Sequence, residues 1–106
     1  MKRFACHYLY ASADGYYSRY VVEVNDNAEV IRYFPLIEEI CATQWIGGVI
    51  VLSASAELQI DRQESFRTFL QRATAESDGP RYAWHVMGVD LLQKEFDTTS
   101  CSLVRL

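Results

Sequence analysis

The sequence predicts an α+β fold: a bent antiparallel sheet of about six strands, in the order β-β-β-β-α-β-β, with one amphipathic helix. Three observations carry that expectation. Apolar residues alternate with period two near both ends of the chain, over 3–11, 16–24 and 81–92. Between them lies an uncharged apolar run, Ile46-Gly47-Gly48-Val49-Ile50-Val51-Leu52. Beyond that run, residues 57–76 change to a helical period.

Each element follows from its residues. Residues 3–11 place Phe4, Cys6, Tyr8 and Tyr10 on one face and Ala5, His7, Leu9 and Ala11 on the other. Asp14-Gly15 marks a turn. Residues 16–24 form the clearest strand: Tyr16, Ser18, Tyr20, Val22 and Val24 share one face, and Tyr17, Arg19, Val21 and Glu23 the opposite one. The face that carries both charges is expected to be the solvated side of an antiparallel sheet. Asn25-Asp26-Asn27 is hairpin-turn chemistry, because these side chains tolerate left-handed backbone and bond to their own main chain. Val30–Phe34 reads as a third strand, which Pro35 ends or confines to an edge. In residues 36–45, Leu36, Ile37, Ile40 and Cys41 have helical spacing, but a single turn or an irregular crossover accounts for them equally well. Gly47-Gly48 then turns the backbone into Val49–Leu52, a fully apolar strand expected at the centre of the sheet.

Phe66, Phe69, Leu70 and Ala73 fall at i, i+3, i+4 and i+7, with Arg62, Gln63, Arg67, Gln71 and Arg72 between them. One amphipathic helix is expected from about Asp61 to about Ala75. Asp61 and Glu64 imitate a capping box at its start, and Ser77-Asp78-Gly79-Pro80 stops it. Arg81–Leu92 returns as one long strand, with Tyr82, Trp84 and Val86 on one face and Ala83, His85, Met87, Val89 and Leu91 on the other. Asp97-Thr98-Thr99 turns the chain into a last strand, Ser100–Leu106.

Composition narrows the function. At 106 residues the chain fits one domain, residues 1–106, and half of its residues are hydrophobic. Such a core needs neither disulfide nor metal. The net charge of −4, with no basic run, argues against nucleic acid as a partner. Three widely spaced cysteines, Cys6, Cys41 and Cys101, form no disulfide framework and no C-x-x-C pair, so free thiols in a reducing cytoplasm are expected. Lys2-Arg3 and Ala11-Ser12-Ala13 imitate a secretion signal, but the stretch is too short and polar. No segment has the length of a membrane span.

At Val21–Val24, Asn25-Asp26-Asn27, Val30-Ile31 and Gly47–Val51 the chain resembles the small β-domain that flanks the barrel of metal-dependent amidohydrolases. In that family a Val-rich hairpin leads to a Gly-containing apolar strand. The chain then enters a catalytic barrel whose first strand carries a His-x-His metal pair. The resemblance implies that residues 1–52 are the opening strands of such a domain and residues 81–106 the returning ones, with the helix standing where the barrel is inserted. No His lies between Leu52 and Pro80, so no catalytic residue of the family carries over. The chain also looks like small uncharacterised bacterial proteins, which implies no activity.

The residues able to do chemistry are few. His7, His85 and the three cysteines are the soft ligands available, but structural zinc requires four, usually in closely spaced pairs. Cys6 and His7 are strand neighbours and face opposite sides. No metal and no cofactor are expected. Cys41 or Cys101 could pair with His85 as nucleophile and base, yet neither has a nucleophile signature around it. Glu38-Glu39 diverge in direction and read as a solvated turn.

The aromatics are the stronger signal. Most belong in a core, but the hydroxyls of Tyr8, Tyr10, Tyr17 and Tyr20 require partners and are expected at a protein interface. The leading expectation is a non-enzymatic, self-associating interaction domain in the cytoplasm. The second is a small-molecule cleft between helix and sheet near Trp45, Trp84 and His85. The weakest is a hydrolase-related enzyme whose site is shared between chains.

Overall fold

A computed structural model of the chain describes residues 2–13, 15–37, 43–55, 57–59, 65–75, 79–90, 95–96 and 102–106. Strand β1 (Lys2–Ser12) pairs antiparallel with β2 (Gly15–Val24), and β2 with β3 (Val30–Pro35). The β2–β3 turn is built as its composition requires. Asn25 Oδ1 accepts the N–H groups of Asn27 (2.9 Å) and Glu29 (3.0 Å), while Ala28 takes the left-handed conformation at φ 63°.

The short β4 (Thr43–Trp45) and the buried β5 (Val49–Ser53) both run alongside β1, and both are parallel to it. This corrects the expected all-antiparallel sheet. The β1–β2–β3 meander leaves one edge of β1 open, and because β3 already points the same way as β1, strands added there parallel to β1 require the chain to cross back to the starting end of the sheet. The sheet is therefore mixed, in a broadly α+β molecule. After β5 come helix α1 (Phe66–Ala73) and then β6 (Tyr82–Met87), antiparallel to β5. Strands β7 (Val89–Asp90) and β8 (Glu95–Phe96) make a separate two-stranded ribbon, and β9 (Ser102–Arg105) closes the order β3-β2-β1-β5-β6-β9 beside β6. The strand expected over 81–92 is thus broken at Gly88, whose φ of 78° is left-handed.

The helix begins later than the periodicity suggests. Ser65 is its N-cap, with extended backbone and a side chain that accepts the Thr68 N–H at 3.2 Å. Asp61 and Glu64 lie outside the described residues. Phe66, Phe69, Leu70 and Ala73 are buried, as the spacing predicts. They pack on Tyr10, Val49, Val51, Trp84 and Val86, on one face of the sheet.

The other face holds Phe4, Cys6, Leu9, Val22, Val24, Ile50, Leu52 and Ala83. The sheet curls around this second core until the start of β3 meets the start of β6. There, Glu29 bridges Tyr82, and the Val30 N–H donates to the Arg81 carbonyl at 2.7 Å. The helix lies on the convex side.

Simple alternation fails in β1 and β2 at the same level. Phe4 and Cys6 share the concave core with Leu9, which differs in parity, while Tyr8 and Tyr10 turn to the helix side. The break lies at His7 and Arg19, between the pairs Cys6↔Tyr20 and Tyr8↔Ser18, where Arg19 is left-handed at φ 54°. The face expected to be solvated is also dry in part, since Val21 is fully buried and Glu23 is 2% exposed. Glu23 enters the protein because β1 and β3 place Arg3 and Arg32 directly opposite it.

Candidate functional site

The backbone departs from regular strand geometry where β4 hands over to β5. Gly47 and Gly48 are both left-handed, at φ 66° and 62°. The Gly48 carbonyl accepts the N–H groups of both His7 and Tyr8 at 3.1 Å, so β1 bulges around it. In return the Gly48 N–H donates to His7 Nδ1 at 2.9 Å, which places the proton of a neutral His7 ring on Nε2. The His7 ring stands edge-on to Trp45, with centroids 4.8 Å apart, and Trp45 is half exposed.

His85 approaches the same dipeptide from β6. A side chain at Gly47 would meet His7 Cε1 at 3.2 Å, and one at Gly48 would meet His85 Nε2 at the same distance. Two histidines 78 positions apart (85 − 7) therefore pack on neighbouring glycines. Sequence reasoning sets His7 aside as a strand residue; what points to it is Gly47-Gly48 itself, a pair suited to close approach of another chain segment. Burial pushes the His85 pKa down, against a smaller opposing effect of the Gly47 carbonyl. Its Nε2 is buried without a hydrogen-bond partner among the described residues. A hollow of about 260 Å³ lined by Ile46, Gly48, His85 and Met87 opens beside it.

Trp84 does not join this group. It precedes His85 on the strand, faces α1, is 7% exposed, and donates its indole N–H to the Ser55 carbonyl at 3.1 Å. The expected cluster of Trp45, Trp84 and His85 is thus divided between the two faces of the sheet by strand alternation.

The four tyrosines expected at an interface are divided likewise. Tyr10 is buried and Tyr8 half-buried, and both meet Tyr16 on the helix side, at 5.6 and 4.9 Å between centroids. Tyr17 and Tyr20 belong to the other face, stacked at 4.6 Å with rings 16° apart. Tyr33 of β3 completes that group at 6.1 Å from Tyr17 and 6.3 Å from Tyr20. Sequence reasoning omits Tyr33 because its place depends on the β2–β3 register. Tyr17 is 45% and Tyr33 37% exposed, and Ile31 on the same edge strand is 49% exposed. Tyr17 and Tyr33, with Ala11, Ser12, Tyr16 and Arg81, border an open groove of about 490 Å³ at the mouth of the curled sheet.

Two charged or polar groups are structural. Arg3 Nε and Arg32 Nη2 hold Glu23 Oε2 at 3.0 and 3.1 Å. The hydrogen bond from Arg3, reinforced by Arg32, keeps the Glu23 carboxyl below its usual range despite burial. Burial pushes the Cys6 thiol up to about 11, against weaker lowering by backbone hydrogen bonds, and its Sγ lies 3.6 Å from the Tyr20 carbonyl. An uncharged, enclosed thiol of that kind is not a nucleophile. Cys41, Cys101, Glu38 and Glu39 lie outside the described residues. Among the described residues, no group of three or more His, Cys, Asp or Glu converges as a metal site would require, and no helix is long and apolar enough to cross a membrane.

Compared with protein-family models, with curated proteins and with solved structures, the chain matches none.

Proposed function

We propose that the chain is a non-enzymatic interaction domain that self-associates through the tyrosine face of β2 and β3. The observation that carries this reading is the Tyr17–Tyr20–Tyr33 cluster, with Ile31 also exposed on the edge strand β3. Rings already fixed by stacking lose little freedom when a partner covers them, and each keeps a hydroxyl for the polar rim.

Two features direct association to this face rather than to strand addition. Pro35 lacks an N–H, and the β2–β3 register shifts between Glu23 and Val24; both blunt the edge. The occupant of the groove is a second copy of the chain. Arg81, bordering the same groove, supplies a cation that a tyrosine ring of that copy accepts over its face.

Light scattering after gel filtration, over a wide concentration range, tests the reading. The expected result is a dimer that the double substitution Tyr17→Ser, Tyr33→Ser converts to a monomer with unchanged circular dichroism. A strictly monomeric parent chain at every concentration removes the proposal.

A further inference from the structure

We infer that the peptide unit between Gly47 and Gly48 is a proton-driven switch: when His7 takes up a proton the unit flips, and the bond from the Gly48 N–H passes from His7 Nδ1 to His85 Nε2. The device lies where β1, β4, β5 and β6 meet. It shares no residue with the tyrosine face and does not depend on self-association.

The peptides on either side are pinned to β1. The Ile46 and Gly47 N–H groups donate to the Ala5 carbonyl at 3.0 and 3.3 Å, and the Gly48 carbonyl accepts from His7 and Tyr8. The peptide between these anchors is held by side chains instead. Its N–H donates to His7 Nδ1 at 2.9 Å, and its carbonyl faces the His85 ring. A flip changes only ψ at 47 and φ at 48, so both anchors survive it. Both positions are glycine, which takes either sign of φ at little cost.

Two ring atoms supply the reason to turn. A proton on His7 Nδ1 converts that acceptor into a donor, which then confronts the Gly48 N–H. His85 Nε2 is buried with no hydrogen-bond partner among the described residues, and lies 3.2 Å from a would-be Cβ on Gly48. After the flip the imidazolium donates from Nδ1 to the Gly47 carbonyl, and the Gly48 N–H donates to His85 Nε2. The orphaned nitrogen gains a partner, and the bond from His7 is charge-assisted, stronger than the neutral one it replaces. The only covalent change is the proton that His7 takes from solvent.

The surroundings favour that order of events. His7 is exposed, whereas burial opposes a charge on His85 and keeps its Nε2 able to accept. Neither ring has an ion-pair partner among the described residues. His7 is flanked by Tyr8 on its own strand, by Trp45 on β4 and by Arg19 opposite it in β2. His85 pairs with Ile50 on β5 and Val104 on β9, and the uncharged Cys6 thiol shares a core with Ile50. Of these only Arg19 is charged, and it is exposed to screening solvent. The flip leaves a cation edge-on to half-exposed Trp45, so acid changes the charge of this surface while β4 and β5 stay paired with β1.

The test is NMR on the parent chain from about pH 8 to about pH 5, either side of the ordinary imidazole value. It follows the imidazole nitrogen shifts and the scalar couplings carried across N–H···N hydrogen bonds. At the upper end the Gly48 amide nitrogen should couple to His7 Nδ1. As His7 protonates, that coupling should vanish and one to His85 Nε2 replace it, with His85 still neutral. His7→Asn, whose Oδ1 stands in for Nδ1 but takes no proton, should abolish the pH dependence of the Gly48 shift over that range. The inference is overturned if Gly48 has no coupling to His7 at the upper end, if His7 protonates and no coupling to His85 appears, if His85 takes its proton first, or if the Gly48 shift titrates unchanged in His7→Asn. The couplings are read in the parent chain, so they need no variant to fold. Light scattering on the same samples reports self-association separately, so either idea can fail alone.

Discussion

Glu23 and His85 show how single residues set the pH range of this fold. Both have folded pKa values below their ordinary ones, so for both the unfolded chain binds protons more readily. The stability tied to His85 is complete above the ordinary imidazole value of 6.5 and is lost as pH falls through its depressed folded value. That tied to Glu23 is complete above 4.5 and is lost as pH falls through its own depressed value. Urea midpoints measured against pH should therefore decline in two steps. His85→Gln should remove the upper step and keep the lower, and Glu23→Gln the reverse; a single step untouched by either variant contradicts the assignment. Gly48 sets a steric limit at the same scale. Its φ of 62° and the His85 Nε2 atom 3.2 Å from a would-be Cβ make Gly48→Ala costly, by about 1–2 kcal/mol from handedness alone. Thermal melts should register that as a fall of roughly 4–8 °C per kcal/mol. Little of this is legible in sequence. Alternation assigns Glu23 to a wet face, and only the register that sets it between Arg3 and Arg32 shows why it is dry.

At the scale of elements the sequence is more informative where the signal is local. The spacing of Phe66, Phe69, Leu70 and Ala73 identifies the buried helix face because helical neighbours are three and four residues apart. The helix start is less legible, since acidic residues and Ser65 compete as caps and the choice rests on where the chain arrives from β5. Phe69 is fully buried between α1 and the sheet, so Phe69→Ala should cost about 3–5 kcal/mol in equilibrium unfolding. Ser65→Ala, which removes one capping acceptor, should cost about 1 kcal/mol. A smaller effect for Phe69 than for Ser65 is inconsistent with α1 as a packed cover. Gly88 exemplifies the opposite case: apolar residues continue on both sides of it, and nothing in their pattern marks the left-handed turn that divides β6 from β7.

At the scale of the whole molecule, the central placement of β5 is readable from its uncharged run, but its direction is not. Direction depends on the route from β3 to the open edge of β1, a non-local choice that periodicity does not encode. Strand parity, rather than that route, separates Trp84 from His85 within β6 and Tyr8 from Tyr17 across the β1–β2 pair, and so decides which expected site residues meet. It also decides what the edge strand offers a partner. The Leu36 N–H donates to the Arg19 carbonyl at 2.9 Å, so by ladder alternation the backbone groups of Tyr33 point away from β2, while the Val30 N–H is taken by the clasp to the Arg81 carbonyl. In hydrogen exchange the Val30 amide should be protected in the monomer and the Tyr33 amide open. Association through the tyrosine face covers side chains and leaves the Tyr33 N–H unbonded, so its exchange rate should change little between dilute and concentrated protein. Strong slowing of Tyr33 on concentration would instead mean that a second chain has paired with β3, and the face would not be the contact.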